Sequence, residues 1–277
     1  MAVSLGTAIF LASCATSTGQ MERVGRRAGD IQSWAMARGF VVLATDRPSS
    51  FDVLLLARDL DQPSFSGEVT VYIEGDGAPW LSPFQPPPDP TPLRPLALGL
   101  AAQHNAGPVL YFARPCQYQH ATDCDVRWWT SDRFAPEVVQ FYQQQLDWIK
   151  VKNQIRSWRI VGHSGGGVLA MVLASQRDDV RQVITIASPV DVQAWVDWHG
   201  LTPLPLPLPL PLIAPRPGTD VLYLGGGQDQ IVPPEIVGAG QRRFHGRQQI
   251  FADFDHECCW LAVWPSVIDD WAEKGKR

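Results

Sequence analysis

Residues 159 to 170 read Arg159-Ile160-Val161-Gly162-His163-Ser164-Gly165-Gly166-Gly167-Val168-Leu169-Ala170: a buried strand, a tight corner and a small-residue helix with one serine at the apex. A β-branched run ends on Gly162 and an apolar, alanine-containing run follows the glycines, so strand, turn and helix come in succession. The chain turns so sharply at such a corner that the residues around the serine must lack bulk, which accounts for Gly162, Gly165 and Gly166. The hydroxyl of Ser164 is thereby pushed out of the sheet, and Ser164 is the candidate covalent nucleophile. The pentapeptide G-x-S-x-G alone is a weak signal in a chain with 23 glycines among 277 residues. A glycine-rich turn that merely packs or binds an anion is the competing reading.

A serine hydroxyl is a poor nucleophile at neutral pH, so the reading requires a histidine base and an acid that orients it. Val221-Leu222-Tyr223-Leu224 has the pattern of a buried strand and breaks at Gly225-Gly226-Gly227-Gln228-Asp229-Gln230-Ile231-Val232-Pro233-Pro234, which sets Asp229 in the loop beyond a strand end. Gln249 to His256 is a short alternating strand whose end is followed by Cys258, Cys259 and Trp260 opening the last helix, so His256 is also placed at a strand end. Asp191, after the preceding strand, is the alternative acid. His163 is adjacent to the nucleophile, and neighbours on an elbow are expected to point apart. For Asp229 and His256 the bland readings are a turn aspartate and a histidine at a helix entry.

The order Ser164, Asp229, His256, with the elbow at Gly162 to Gly166 and the G-x-x-D-x-x-V-P pattern at Gly226 to Pro233, resembles the α/β-hydrolase superfamily. The resemblance runs over nearly the whole chain after the leader and names no substrate. It implies an acyl-enzyme mechanism with two backbone N–H groups aimed at the oxyanion, one of them from Gly165. The second is expected after the third strand, where Val69-Thr70-Val71-Tyr72-Ile73 runs into Glu74-Gly75-Asp76-Gly77. By analogy with the superfamily Asp76 is that donor, with Glu74 in place of the usual histidine. The carboxylates of Glu74 and Asp76 must then point away from the oxyanion. A plain Asp-Gly surface turn is the alternative.

The rest of the chain fits an α/β fold with a mostly parallel eight-stranded sheet, helices on both faces and a proline-rich insertion at the cap position. Phe40 to Ala44 and Phe51 to Leu56 form an antiparallel start. Strand-like runs at Val69, Val109, Trp158, Val183, Val221 and Gln249 then alternate with helical segments. With 45% hydrophobic side chains the chain can fill one large core. The expected organisation is residues 1–14 as a signal segment, 15–35 as a tether and 36–277 as a single domain, with the insertion at about 192–218. A net charge of -5 and the lack of a long basic run argue against nucleic acid as partner. No cofactor is implied. No C-x-x-C or H-x-x-x-H spacing suggests a metal.

The leader, Met1 to Cys14, is short, uncharged and apolar and ends in Leu11-Ala12-Ser13-Cys14, which resembles a bacterial lipobox. The resemblance implies cleavage before Cys14, lipid on its sulfur, and a chain tethered to the membrane of the cell envelope on the periplasmic side. Ala15 after the cysteine resembles the outer-membrane-directed version. An uncleaved leader on a cytoplasmic enzyme is the other reading. The remaining cysteines are even in number, and Cys116 and Cys124 bracket a short polar loop where a bridge would add at most about 3 kcal/mol. Cys258 and Cys259 are neighbours, for which pairing is strained, and are expected to pack beneath His256.

Thr202 to Leu212 alternates Leu and Pro strictly and is expected as polyproline II. It is read as a cap segment offering leucines to an acyl chain, as a low-complexity loop, or as a ligand for a protein partner. Trp80, Trp128, Trp129, Trp195, Trp198 and Trp260 cluster in loops near the expected site, as pocket walls or as sheet packing. Arg114-Pro115-Cys116-Gln117-Tyr118 and Trp129-Thr130-Ser131-Asp132-Arg133-Phe134 resemble segments of bacterial α/β-hydrolase lipoproteins. The functional expectation is a serine hydrolase cleaving a carboxylic ester, lipid or other acyl substrate. The alternatives are an acyltransferase with the same triad and a non-catalytic envelope lipoprotein that binds through the same scaffold.

Overall fold

The apolar runs pair into one sheet whose faces are covered by the helical segments between them. In the computed structural model, which describes residues 19–274 apart from 45–50, 62–66, 79–81, 83–84, 119–123 and 210–211, the strands are β1 (Val41–Val42), β2 (Leu55–Arg58), β3 (Glu68–Ile73), β4 (Val109–Phe112), β5 (Ser157–His163), β6 (Val180–Ile186), β7 (Asp220–Gly226) and β8 (Arg247–Phe251). The helices are α1 (Ala28–Met36), α2 (Leu96–Ala102), α3 (Pro136–Lys152), α4 (Gly165–Gln176), α5 (Val192–His199), α6 (Pro234–Phe244) and α7 (Trp260–Lys274). The sheet runs β1-β2-β4-β3-β5-β6-β7-β8. β2 is antiparallel to both β1 and β4, and the pairs from β4 through β8 are parallel.

Register decides where chemistry can gather. Ile73 lies opposite both Phe112 and Gly162, His163 opposite Ile186, Ile186 opposite Leu224, and Gly226 opposite Phe251. The carboxyl ends of the parallel strands therefore form one edge, and the loops after β3, β5, β7 and β8 open on it, the usual ligand side of an open α/β sheet. The core lies on both faces of the central strands. Leu169, Val172 and Leu173 of α4 are fully buried, each contributing roughly 1.5–3 kcal/mol. α3 starts on Pro136, whose missing N–H costs nothing at a first helical position, and buries Val138, Tyr142, Leu146 and Ile149 along one stripe.

Three expectations need correction. The stretch expected as a tether, 15–35, is docked from Gly19 onward: Met21, Val24, Ile31 and Ala35 are buried, the last two on one face of α1. Val24 N–H donates to the Leu93 carbonyl at 2.9 Å, and Leu261 N–H donates to the Gly19 carbonyl at 3.1 Å. The expected signal segment 1–14, with Cys14, lies outside the described residues, as does the turn expected between β1 and β2. The insertion expected at about 192–218 opens with α5, an ordinary crossover helix capped by Asp191 and closed by Gly200 in the left-handed region. In the Leu-Pro tract Leu204, Leu206 and Leu208 are packed against the core while Pro203 and Pro205 are exposed. Leu210 and Pro211 are not among the described residues. Finally, Cys116 is joined to Cys124, and Cys258, contrary to expectation, is joined to Cys259.

Candidate active site

Ser164 sits between β5 and α4 with φ 50° and ψ -124°, a conformation that costs a non-glycine residue about 1–3 kcal/mol and persists only where the surroundings enforce it. Three hydrogen bonds do so. Ser164 N–H donates to Ile186 at 2.9 Å, and its carbonyl accepts from Gly167 N–H at 3.0 Å and from Ser188 Oγ at 2.7 Å. The glycines are required by the close approach of backbones. A Cβ on Gly162 would lie 2.3 Å from the Gly166 carbonyl oxygen, and one on Gly166 would lie 2.3 Å from that of Ile73. Gly165 opens α4, where an N–H has no intrahelical acceptor.

Asp229 follows the end of β7 and is buried. Its Oδ1 accepts from Ile231 N–H and Val232 N–H, both at 2.8 Å, which aims Oδ2 at His256 Nδ1, also 2.8 Å away. With Nδ1 paired to the carboxylate, Nε2 is the ring nitrogen left to exchange a proton. The His256 carbonyl is fixed in turn by His163 Nε2 at 3.1 Å and Trp260 Nε1 at 3.3 Å. The alternative acid, Asp191, is engaged elsewhere: Oδ2 meets Arg243 Nε at 2.6 Å and Oδ1 caps α5. No hydrogen bond joins Ser164 Oγ to His256 among the described residues. The His163 and His256 rings, with centroids 5.0 Å apart, set His256 beside the elbow.

The loop after β3 passes directly by the serine, since a Cβ on Gly75 would stand 3.3 Å from Ser164 Cβ. Glu74 is buried and turned toward α2. Its Oε1 accepts from Gly75 N–H at 3.0 Å and Ala97 N–H at 3.3 Å, and its Oε2 from Leu98 N–H at 3.4 Å and the Tyr111 hydroxyl at 3.2 Å. Burial pushes its pKa up to about 7 against the opposing pull of those bonds. The Asp76 carboxylate lies over Gly165, where an added Cβ would be 2.1 Å from its Oδ1. Arg114 Nη1 holds one oxygen at 2.7 Å and Arg133 Nη1 the other at 2.9 Å. Burial opposes its ionisation, but the two guanidinium groups outweigh burial and hold its pKa below the usual value. The Asp76 N–H has no acceptor among the described residues.

Among solved structures, Est1E from Butyrivibrio proteoclasticus superimposes with a TM-score of 0.61 over 86% of this chain and 98% of that one, at 13% identity. The Pyrococcus furiosus esterase does so at 0.56, covering 93% and 97% with 12% identity. An α/β serine hydrolase without lid from Xanthomonas campestris does so at 0.53, covering 84% and 95% with 13% identity. This chain has the α/β-hydrolase fold. A family model described as a PGAP1-like alpha/beta domain matches residues 134–202, which carry the elbow but neither Asp229 nor His256. No curated protein matches the chain in sequence.

Within the α/β-hydrolase fold, Ser164, Asp229 and His256 occupy loops at the same sheet edge, and Gly165 and Asp76 flank the serine. Four contributors went unrecognised in the sequence. His163 was expected to point away, yet its ring packs against His256 and donates to its carbonyl; burial first, and then the neighbouring imidazole, push its pKa down to about 3 and keep it neutral. Arg114, Gln117 and Arg133 belong to the two family-like segments, and only their convergence on the loop after β3 reveals their part. Of the tryptophans, Trp260 is buried beneath His256, Trp129 bonds to the Pro87 carbonyl and Trp195 to that of Ile231, while Trp198 is exposed and Trp80 lies outside the described residues. Among the described residues no three His, Cys, Asp or Glu side chains group to hold a metal ion.

Proposed function

We propose that this chain is a serine hydrolase cleaving a carboxylic ester through an acyl-enzyme. The observation that carries the reading is the 2.8 Å contact between His256 Nδ1 and an Asp229 carboxylate whose other oxygen is held by two backbone N–H groups, at the sheet edge that bears the strained Ser164. His256 Nε2 takes the proton of Ser164 Oγ as that oxygen adds to the ester carbonyl. The N–H groups of Gly165 and Asp76 receive the charge on the former carbonyl oxygen. Collapse expels the alcohol, which leaves with the proton from His256. Water, deprotonated by the same nitrogen, then releases the acid and restores the serine.

The Pyrococcus furiosus protein is described as an esterase and a solved structure of Est1E holds ferulic acid, a carboxylic acid, and both favour an ester over an amide. The lipobox-like leader supports attachment through Cys14 and a place in the cell envelope. The test is labelling with a fluorophosphonate probe: Ser164→Ala should abolish the labelling seen in wild type, and continued labelling of that variant would sink the assignment. An ester panel graded by acyl-chain length, run with and without acceptor alcohols, reads out substrate class and separates hydrolysis from acyl transfer.

A further inference from the structure

Three segments far apart in sequence meet on one carboxylate. Asp76, in the loop after β3, is gripped by Arg114 from the loop after β4 and by Arg133 from the segment before α3. Neither arginine is a loose surface charge. Arg114 is buried; its Nη2 donates to the Arg133 carbonyl, and its N–H is held by Gln117 Oε1 at 3.0 Å. Arg133 Nε donates to the Thr130 carbonyl at 2.9 Å. The same turn grips the loop a second time, since Gln117 Nε2 donates to the Gly75 carbonyl at 3.0 Å. The bridge between Cys116 and Cys124 ties that turn down, and Cys116 and Tyr118, on either side of Gln117, both hold positive φ.

A carboxylate beside a developing oxyanion opposes catalysis, so the presence of Asp76 next to Gly165 and Ser164 demands an account. Two charge-assisted hydrogen bonds neutralise it and fix it from both sides. Gln117 and Glu74 fix Gly75, the residue before it, through its carbonyl and its N–H. The peptide linking Gly75 to Asp76 is thereby held at both ends, and that peptide carries the Asp76 N–H.

We propose that Arg114 and Arg133, with Gln117, are positioning residues that act through Asp76, clamping its backbone N–H at the oxyanion and cancelling the charge of its side chain. The clamp rests on the hydrolase reading above. Its role belongs to the tetrahedral stage, when charge reaches the carbonyl oxygen, and not to ground-state binding.

The test uses the full chain, a short-chain aryl ester, a trifluoromethyl ketone that forms a tetrahedral adduct with serine, and the fluorophosphonate probe. Arg133→Gln should lower kcat about tenfold to a hundredfold with KM within about threefold, and should weaken the trifluoromethyl ketone by the same factor as kcat/KM. Arg133→Lys, which keeps the charge, should recover part of the loss. Asp76→Asn combined with Arg133→Gln should be no worse than the poorer single variant, because both break one contact. Arg133 is the primary site because the more deeply buried Arg114 is more apt to disturb folding, and a thermal melt accompanies each variant. Unchanged kcat in a folded Arg133→Gln, additive losses, or a rise in KM confined to anionic esters would each overturn the clamp while labelling of wild type persists. Failure of wild type to label overturns the hydrolase reading and the clamp with it.

Discussion

His163 and His256 lie ring against ring at 5.0 Å, and the first donates from Nε2 to the carbonyl of the second. A residue expected to point away from the site thus supports His256 from behind. His163→Phe keeps the bulk and removes the donor. Losing one such bond costs about 1 kcal/mol, so kcat should fall by up to about tenfold, with probe labelling slowed but retained. A variant with wild-type kcat would show that Trp260 alone holds that carbonyl.

Asp229→Asn leaves an oxygen for the N–H groups of Ile231 and Val232 but turns an amide toward His256. The imidazole then loses the acceptor that sets its tautomer. By the behaviour of other triads, kcat should fall by about a thousandfold or more, with little change in melting temperature. Asp191→Asn should do the reverse, sparing kcat while lowering stability through the lost Arg243 contact, since the amide oxygen still caps α5. Ester turnover and thermal melts of the two variants separate the roles.

Glu74 makes stability depend on pH in a stated direction. Its pKa is raised from 4.5 to about 7 in the folded chain, so between those values the folded state binds more protons than the unfolded one. Its contribution is complete below pH 4.5 and is lost as pH rises through about 7. The loss is on the order of 3 kcal/mol. His163 and His104, lowered from 6.5 to about 3 and about 4, act in the opposite sense, favouring the folded state as pH rises. Comparison with Glu74→Gln isolates the carboxyl: relative to that variant, wild type should lose stability from pH 4.5 to pH 8 in chemical denaturation. Parallel stability curves would contradict the assignment.

Gly166 at the elbow and Gly29 in α1 should respond to alanine with opposite signs. Gly166→Ala forces a Cβ against the backbone oxygens of Ile73 and Glu74 and should cost about 3 kcal/mol or more. Gly29, in α1, has nothing within 4 Å of an added Cβ. Gly29→Ala should stabilise by about 0.5–1 kcal/mol, seen as a rise in melting temperature.

The sheet and the gathering of Ser164, Asp229 and His256 at its edge were legible because each rests on local pattern: continuous apolar runs, glycine where backbones collide, polar residues just past strand ends. The strand expected at Val109 begins there. What stayed hidden depends on packing between distant segments. Arg114 and Arg133 are nineteen positions apart in unrelated loops, and no periodicity links either to Asp76. α5 was hidden by the proline tract that follows it, whose composition dominates the window. The docking of residues 19–36 was masked by arginines at 23, 26 and 27, which read as solvated chain although Met21 and Val24 between and before them are buried.

That docking sets a reach. Gly19 is fastened to Leu261, at the start of the helix that follows His256, and only five Cα-to-Cα steps lie between it and Cys14. Even fully extended they span about 18 Å. A chain held by lipid at Cys14, as proposed above, would therefore keep the start of the helix after His256 on a short leash, its Gly19 anchor point never more than about 18 Å from the Cys14 Cα.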